Sequence, residues 1–163
     1  MLVKLRPGSL ASAAVPIALR FLLYASLGVA MEVVFTAFCA RFGVVLTADM
    51  DDADARSGWR LKGHSFVWML PIYGCGFLLF EVVHDLLRAE PWLLRAVVYV
   101  ALLYAVELVS SLALVRITGA HVWRWVGRGA IGGHVHLAVA PLWLGMAMGL
   151  ERLHDLLVRP LAG

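Results

Sequence analysis

Four long apolar stretches alternate with short polar segments along this chain. The stretches cover residues 21–40, 65–83, 96–115 and 131–150, with the second extending towards residue 87 and the fourth towards residue 157. Each has about the twenty residues that a helix needs to cross a bilayer. Unpaired backbone groups are too costly in lipid, so each stretch is predicted to be helical. The pattern predicts an all-α, polytopic membrane protein with four transmembrane helices in a single transmembrane domain, residues 1–163.

The composition excludes most soluble classes of protein. Hydrophobic residues make up 62% and charged residues 15% of the chain, and the mean hydropathy is +0.85. A soluble domain is nearer half apolar and a quarter charged. These values exclude a disordered chain, a nucleic-acid-binding domain and an ordinary cytosolic enzyme. The formal net charge of +3 is too small to alter this conclusion.

The second half of the sequence repeats the first. At one constant offset, Gly63, His64, Pro71, Glu81, His84 and Asp85 match Gly133, His134, Pro141, Glu151, His154 and Asp155. At a slightly larger offset, Arg20, Tyr24, Glu32 and Arg41 match Arg95, Tyr99, Glu107 and Arg116. We predict two tandem-duplicated hairpins, residues 20–88 and 95–158, which form a parallel repeat about a pseudo-two-fold axis along the membrane normal.

Four glutamates lie within or near the predicted spans: Glu32, Glu81, Glu107 and Glu151. A charge near the bilayer centre costs roughly 2.5–3.5 kcal/mol on insertion scales, so these side chains should face the bundle interior. We expect one interior polar cluster that opens toward the termini. We also expect Glu32 and Glu107 to titrate as a coupled pair, with at least one protonated at neutral pH. The alternative is that these acids only bond neighbouring helices and fix their packing.

Two Glu-x-x-His segments place a carboxylate and an imidazole on one helix face. They are Glu81 with His84 and Glu151 with His154. With Glu32 and Glu107 on the other two helices, the order matches the ligand set of ferritin-like di-iron bundles. A metal site at His84 and His154, with the four glutamates, is therefore one hypothesis. A satisfied polar network that holds no cofactor is the expectation that we favour.

Orientation and surface position follow from weaker signals. The basic residues divide equally between the two sides, so the positive-inside rule does not fix the orientation. The basic N-terminus favours cytoplasmic termini. The preference for arginine over lysine indicates a GC-rich bacterial genome, so the expected location is a bacterial cytoplasmic (inner) membrane. Trp59, Trp92, Trp123 and Trp125 are interpreted as belt residues at the membrane surface.

Several segments of the chain resemble the ABC-transporter permease family of the CmpB-like kind (type IV) and its vertebrate transmembrane relatives. The segments are GVAMEVVFTAF, PIYGCGFLLFE, RAVVYVALLYAVEL and GGHVHLAVAPLWLGMAMGLE, between residues 28 and 151. The resemblance implies a small polytopic membrane protein with helix-borne glutamates. The chain departs from the family at residues 121–125, HVWRW, where a Pro-Trp-Asp-Tyr-like turn is expected and arginine replaces the acid.

Three classes of function remain open. The first is a transporter-like or permease-like component, which would need a homo-oligomer or a partner membrane or ATPase subunit, because the sequence holds no phosphate-binding loop. The second is a membrane-embedded metalloenzyme. The third is a structural membrane subunit. The sequence contains no nucleophile elbow, Cys-x-x-Cys pair or His-rich desaturase box, so a non-enzymatic role is favoured. The expected partner is membrane lipid, and no nucleic acid is expected.

Overall fold

The computed structural model describes residues 15–48 and 62–158. Within these ranges the chain forms four α-helices, a two-stranded hairpin and one turn of 3-10 helix. The helices are α1 (Ile17–Phe42), α2 (Met69–Leu87), α3 (Trp92–Thr118) and α4 (Ala140–Val158). Strands β1 (Ala130–Ile131) and β2 (Val135–His136) pair antiparallel, and the 3-10 turn covers Leu137–Val139. The predicted all-α class is confirmed.

Three of the helices, α1, α2 and α3, are long and apolar enough to cross a membrane. They indicate a multi-pass membrane protein. The fourth helix, α4, carries Glu151, Arg152 and Asp155 along its length and is more polar. Proline and glycine set the ends of the two longest helices. Pro16 precedes α1 and Pro91 precedes α3, and each of these helices ends at a glycine with positive φ, Gly43 and Gly119.

Helices α2 and α4 begin later than the apolar stretches predict. The predicted starts, residues 65 and 131, precede the observed starts at Met69 and Ala140. Ahead of α4, four glycines (Gly127, Gly129, Gly132 and Gly133) have positive φ, which bends the chain into the short hairpin instead of a helix. Ahead of α2, the backbone N–H of His64 donates to Thr36 Oγ1 at 2.9 Å, which holds the segment alongside α1.

The bundle is organised around α2. Helix α1 packs along α2, α3 packs on α2 and α4, and α2 also touches α4. A backbone hydrogen bond of 3.1 Å from Val15 N to Leu157 O joins the start of α1 to the end of α4. The described ends of the chain therefore lie at the same end of the bundle.

The outer face of the bundle is apolar. Large hydrophobic side chains are exposed along every helix, among them Leu22, Val34, Phe38, Leu79, Val82, Val97, Val109 and Leu156. An exposed apolar surface of this extent is typical of contact with another apolar phase. The buried polar residues include Glu81, His84, His154 and Ser111. A helix bundle in lipid needs its polar groups in the interior and its apolar groups on the outer surface, and this bundle has that arrangement.

The two loops at the other end of the bundle pair with each other. Val126 N donates to Leu46 O at 2.8 Å and Ala48 N donates to Arg124 O at 3.0 Å. This pairing buries Trp123 and Trp125 to 6% and 8% exposure. The belt interpretation is therefore wrong for these two tryptophans, because the paired loops fold them inward. Trp92 is exposed, and Trp59 lies outside the described residues.

Candidate functional site

The four interior glutamates fall into two groups at different depths of the bundle. Glu32 and Glu107 line a cavity toward the paired loops. Glu81 and Glu151 lie toward the described chain ends, and neither lines that cavity. On α2, Tyr73 of the cavity wall is eight residues from Glu81, a rise of about 12 Å along a helix. The single acidic cluster that the sequence suggests is thus divided between two sites.

The cavity beside Glu32 and Glu107, hereafter the glutamate cavity, has a volume of about 110 Å³. A water molecule needs roughly 10–15 Å³ on such a measure, so the space holds several waters or one small molecule. Apart from the two carboxylates, its wall is largely apolar. Seven aromatic rings contribute to that wall: Phe35, Phe66, Tyr73, Phe77, Trp123, Trp125 and Trp143.

The carboxylate of Glu107 is only half satisfied. Trp125 Nε1 donates to Glu107 Oε1 at 2.6 Å, whereas Oε2 is buried and accepts no hydrogen bond from the residues that the structure describes. The Trp143 indole lies next to the same carboxylate without completing a hydrogen bond. Across residues 15–48 and 62–158, no cationic side chain makes an ion pair with Glu107. The cavity therefore contains a carboxylate that the described protein leaves without a countercharge.

The Glu32 carboxylate is held by residues other than the one that bonds Glu107. Ser65 Oγ, in the segment ahead of α2, donates to Glu32 Oε2 at 2.6 Å, and the Tyr73 hydroxyl lies beside the same carboxylate. The Tyr73 ring packs against Gly28 so closely that a Cβ at residue 28 would overlap Tyr73 Cγ. A glycine at residue 28 therefore allows Tyr73 to take its place in the cavity wall.

The second group of glutamates forms two matching ion pairs at the other end of the bundle. Arg20 Nη1 lies 3.2 Å from Glu81 Oε2, and Arg95 Nη2 lies 2.9 Å from Glu151 Oε1. Each pair joins neighbouring helices, α1 to α2 and α3 to α4. The four residues are those that the sequence alignment of the two halves places in register.

Two histidines lie between these ion pairs, each facing the glutamate of the other hairpin. His154 Nδ1 is 3.2 Å from Glu81 Oε1, and His84 Nδ1 is 3.6 Å from Glu151 Oε2. Both rings are buried, and their centroids are 5.3 Å apart. The Glu-x-x-His segments of α2 and α4 thus meet across the bundle.

Tyrosines complete the inner part of this group. Tyr24 OH donates to Glu81 Oε1 at 2.6 Å, and Tyr99 OH is 2.7 Å from His84 Nδ1. Both tyrosines are almost completely buried. These short contacts hold Glu81 and His84 in position.

Arg88 joins the two halves and has no counterpart. Its Nη2 lies 2.5 Å from Asp155 Oδ1, 3.1 Å from His84 Nε2 and 3.3 Å from Asp85 Oδ1. Val158 stands at the matching position of the second half. The hydrogen bond to Asp155 raises the pKa of the Arg88 guanidinium, so this group stays charged.

Arg88 and Asp155 both approach the same nitrogen of His84. Arg88 Nη2 lies 3.1 Å and Asp155 Oδ1 lies 3.5 Å from His84 Nε2. Both nitrogens of His154 face carboxylate oxygens, Nδ1 that of Glu81 and Nε2 that of Asp85.

The charges of this group, hereafter the histidine network, nearly cancel. It contains four carboxylates and three arginines, the residues Glu81, Asp85, Glu151, Asp155, Arg20, Arg88 and Arg95. The arginines therefore offset three of the four negative charges, whereas Glu107 has no ion-pair partner among the described residues.

The structure does not assemble the complete ferritin-like ligand set. Glu32 and Glu107 belong to the glutamate cavity, away from the two histidines. Among the described residues, His84, His154 and Asp155 offer donor atoms that all lie within 4.8 Å of one another, a spacing that could hold a metal ion. Arg88 already contacts two of these three residues.

Sequence reasoning missed the aromatic partners of Glu32 and Glu107 and the central place of Arg88. Tyr73 and Trp143 occupy matching positions of the two halves, and this match was the available signal. No periodicity places Trp125, because it comes from a loop. Comparison with models of protein families, with curated proteins and with solved structures finds no match to this chain.

Proposed function

We propose that this chain is a small transporter-like or permease-like membrane protein that takes a solute into the glutamate cavity. One observation carries the proposal: Glu32 and Glu107 both line a cavity inside a bundle whose outer face is apolar. Carboxylates within membrane helices usually mark ion or substrate pathways, because only a function offsets their insertion cost. The resemblance to permeases in the sequence agrees with this role.

The proposal includes the finer architecture of four spans in two duplicated hairpins. The hydrogen bond between Val15 and Leu157 supports four spans, because it joins the start of α1 to the end of α4. If α1, α2 and α3 each cross the membrane, α4 must cross it too for its end to return to the side on which α1 starts. The matching ion pairs of Arg20 with Glu81 and Arg95 with Glu151 support the repeat. Reporter fusions test the topology: with four spans, a C-terminal fusion and one in the turn at residues 88–91 report the same side. Opposite sides would contradict it.

The transport role is tested with the purified full chain in proteoliposomes. Currents on a solid-supported membrane are recorded while a panel of inorganic and organic cations is applied. We expect a current for at least one cation, which Glu107→Gln reduces and Glu90→Gln, at an exposed position, leaves unchanged. Currents no larger than those of protein-free vesicles, for every cation, would overturn the proposal and leave the metal-centre and structural-subunit alternatives. A homo-oligomer or a partner ATPase subunit fits a chain of this size.

A second candidate function is a divalent-metal centre in the histidine network. The clustering of donor atoms from His84, His154 and Asp155 within 4.8 Å favours it. Imidazole and carboxylate together suit zinc and iron. Metal analysis of detergent-purified protein after metal supplementation tests this candidate, and a metal-free protein would exclude it.

A further inference from the structure

The glutamate cavity combines negative charge with aromatic walls, and this combination narrows the class of ligand. Among the described residues, Glu107 Oε2 is buried without a hydrogen-bond partner and Glu107 forms no ion pair. A buried carboxylate in an apolar wall is strongly unfavourable unless a cation or a proton compensates it. An anionic ligand would worsen that imbalance, and a positively charged ligand would remove it.

The aromatic rings of the wall favour an organic cation over a bare metal ion. Faces of tryptophan, tyrosine and phenylalanine attract ammonium groups and accept their alkyl substituents. A hard metal ion instead needs six or more oxygen ligands, whereas most of this wall is carbon. Met31, Met69 and Met146 add flexible apolar surface that adapts to alkyl groups.

The size of the cavity limits the ligand. An engineered cavity of about 150 Å³ admits benzene, which has six carbon atoms. At about 110 Å³, the glutamate cavity suits a molecule with somewhat fewer non-hydrogen atoms. An ammonium ion that bears one small alkyl group, such as a tert-butyl group, meets this condition.

We propose that the glutamate cavity binds a small alkylammonium ion, with the charged nitrogen at Glu107 and Glu32 and the alkyl groups against the aromatic wall. Among the described residues, Trp125 bonds Glu107 Oε1 and no hydrogen bond is made to Oε2, so the carboxylate still needs a positive charge. The inference deepens the transport proposal and rests on it for the role of the ion as a solute. Binding itself is measurable without transport.

The test compares two probes of the same shape and different charge. Isothermal titration calorimetry and tryptophan fluorescence follow the binding of tert-butylammonium and of tert-butanol to the detergent-purified full chain. We expect tert-butylammonium to bind at least tenfold more tightly than tert-butanol. Equal affinity for the two probes, tighter binding of the alcohol, or no binding of either would overturn the proposal.

Variants locate the site. Glu107→Gln and Glu32→Gln keep the size of the side chain and should each weaken tert-butylammonium binding at least tenfold, while Glu90→Gln should leave it unchanged. Unchanged binding in Glu107→Gln would overturn the assignment, and tighter binding of sodium or calcium than of the ammonium ion would identify an inorganic cation instead. If a variant fails to fold, the comparison of the two probes on the unmodified protein still decides.

The outcomes separate this inference from the transport proposal. Selective binding of tert-butylammonium without current in proteoliposomes would contradict transport and uphold the site. A current carried by other cations, without ammonium binding, would uphold transport and contradict the site.

Discussion

Trp125 Nε1 donates a hydrogen bond of 2.6 Å to Glu107 Oε1, and this contact ties the loop after α3 to the middle of the same helix. The loop residue thereby reaches a carboxylate eighteen positions earlier in the chain. Because Oε2 of the same group stays unpartnered, the contact positions the carboxylate without neutralising it. The loop is therefore part of the cavity as well as a connection between helices.

The Trp125 contact predicts a specific loss on substitution. Trp125→Phe keeps an aromatic ring and removes the donor, and hydrogen bonds to charged groups are worth about 1.5–3 kcal/mol. We expect a loss of this size in the free energy of unfolding, measured by SDS titration. Trp123→Phe is the control, since Trp123 is buried in the same wall without bonding Glu107. Equal losses in both variants would show that the hydrogen bond contributes nothing of its own.

The ion pair of Arg95 with Glu151 predicts a cost for removing one partner alone. Both side chains are mostly buried, at 19% and 12% exposure, so Arg95→Met leaves a carboxylate without its cation. We expect a loss of about 3 kcal/mol, the lower end of the range for buried pairs. The double variant Arg95→Met with Glu151→Gln should recover much of this loss. A double variant as unstable as the single one would contradict the interpretation.

The position of Arg88 predicts that this side chain competes with metal. Its Nη2 is surrounded by His84 Nε2, Asp155 Oδ1 and Asp85 Oδ1, the kind of donor set that a zinc ion uses. Arg88→Met should therefore bind Zn²⁺ at least tenfold more tightly than the unmodified chain, in competition with a chromophoric chelator. Adding His154→Asn should reverse the gain. The same zinc affinity with and without Arg88 would refute the competition.

The contact of Gly28 with Tyr73 predicts opposite results for two Gly→Ala substitutions. At residue 28 the new Cβ would overlap Tyr73 Cγ, and such overpacking costs about 1–3 kcal/mol. At Gly145 of α4, no described residue comes within 4 Å of the new Cβ, so alanine should leave stability unchanged or raise it by up to about 1 kcal/mol. Thermal unfolding in detergent measures both, and a harmless Gly28→Ala would contradict the close packing.

The sequence by itself determined the helices and the lipid-facing surface. Hydrophobic length predicts the spans, and prolines and glycines set the ends of α1 and α3 close to the predicted bounds. The i, i+3 spacing alone places Glu81 and His84 on one face of their helix. These features are local, because helical geometry and the insertion cost of charge follow from neighbouring residues.

The tertiary structure decided which of the polar groups meet. The division of the four glutamates into a cavity and an ion-paired network depends on the register of α1 against α2 and of α3 against α4. Trp125 reaches Glu107 from a loop whose backbone bonds Gly133 and Leu46, and Arg88 bridges Asp85 and Asp155 only because α2 touches α4. Contacts between distant segments depend on packing of the whole bundle, and no local pattern encodes them.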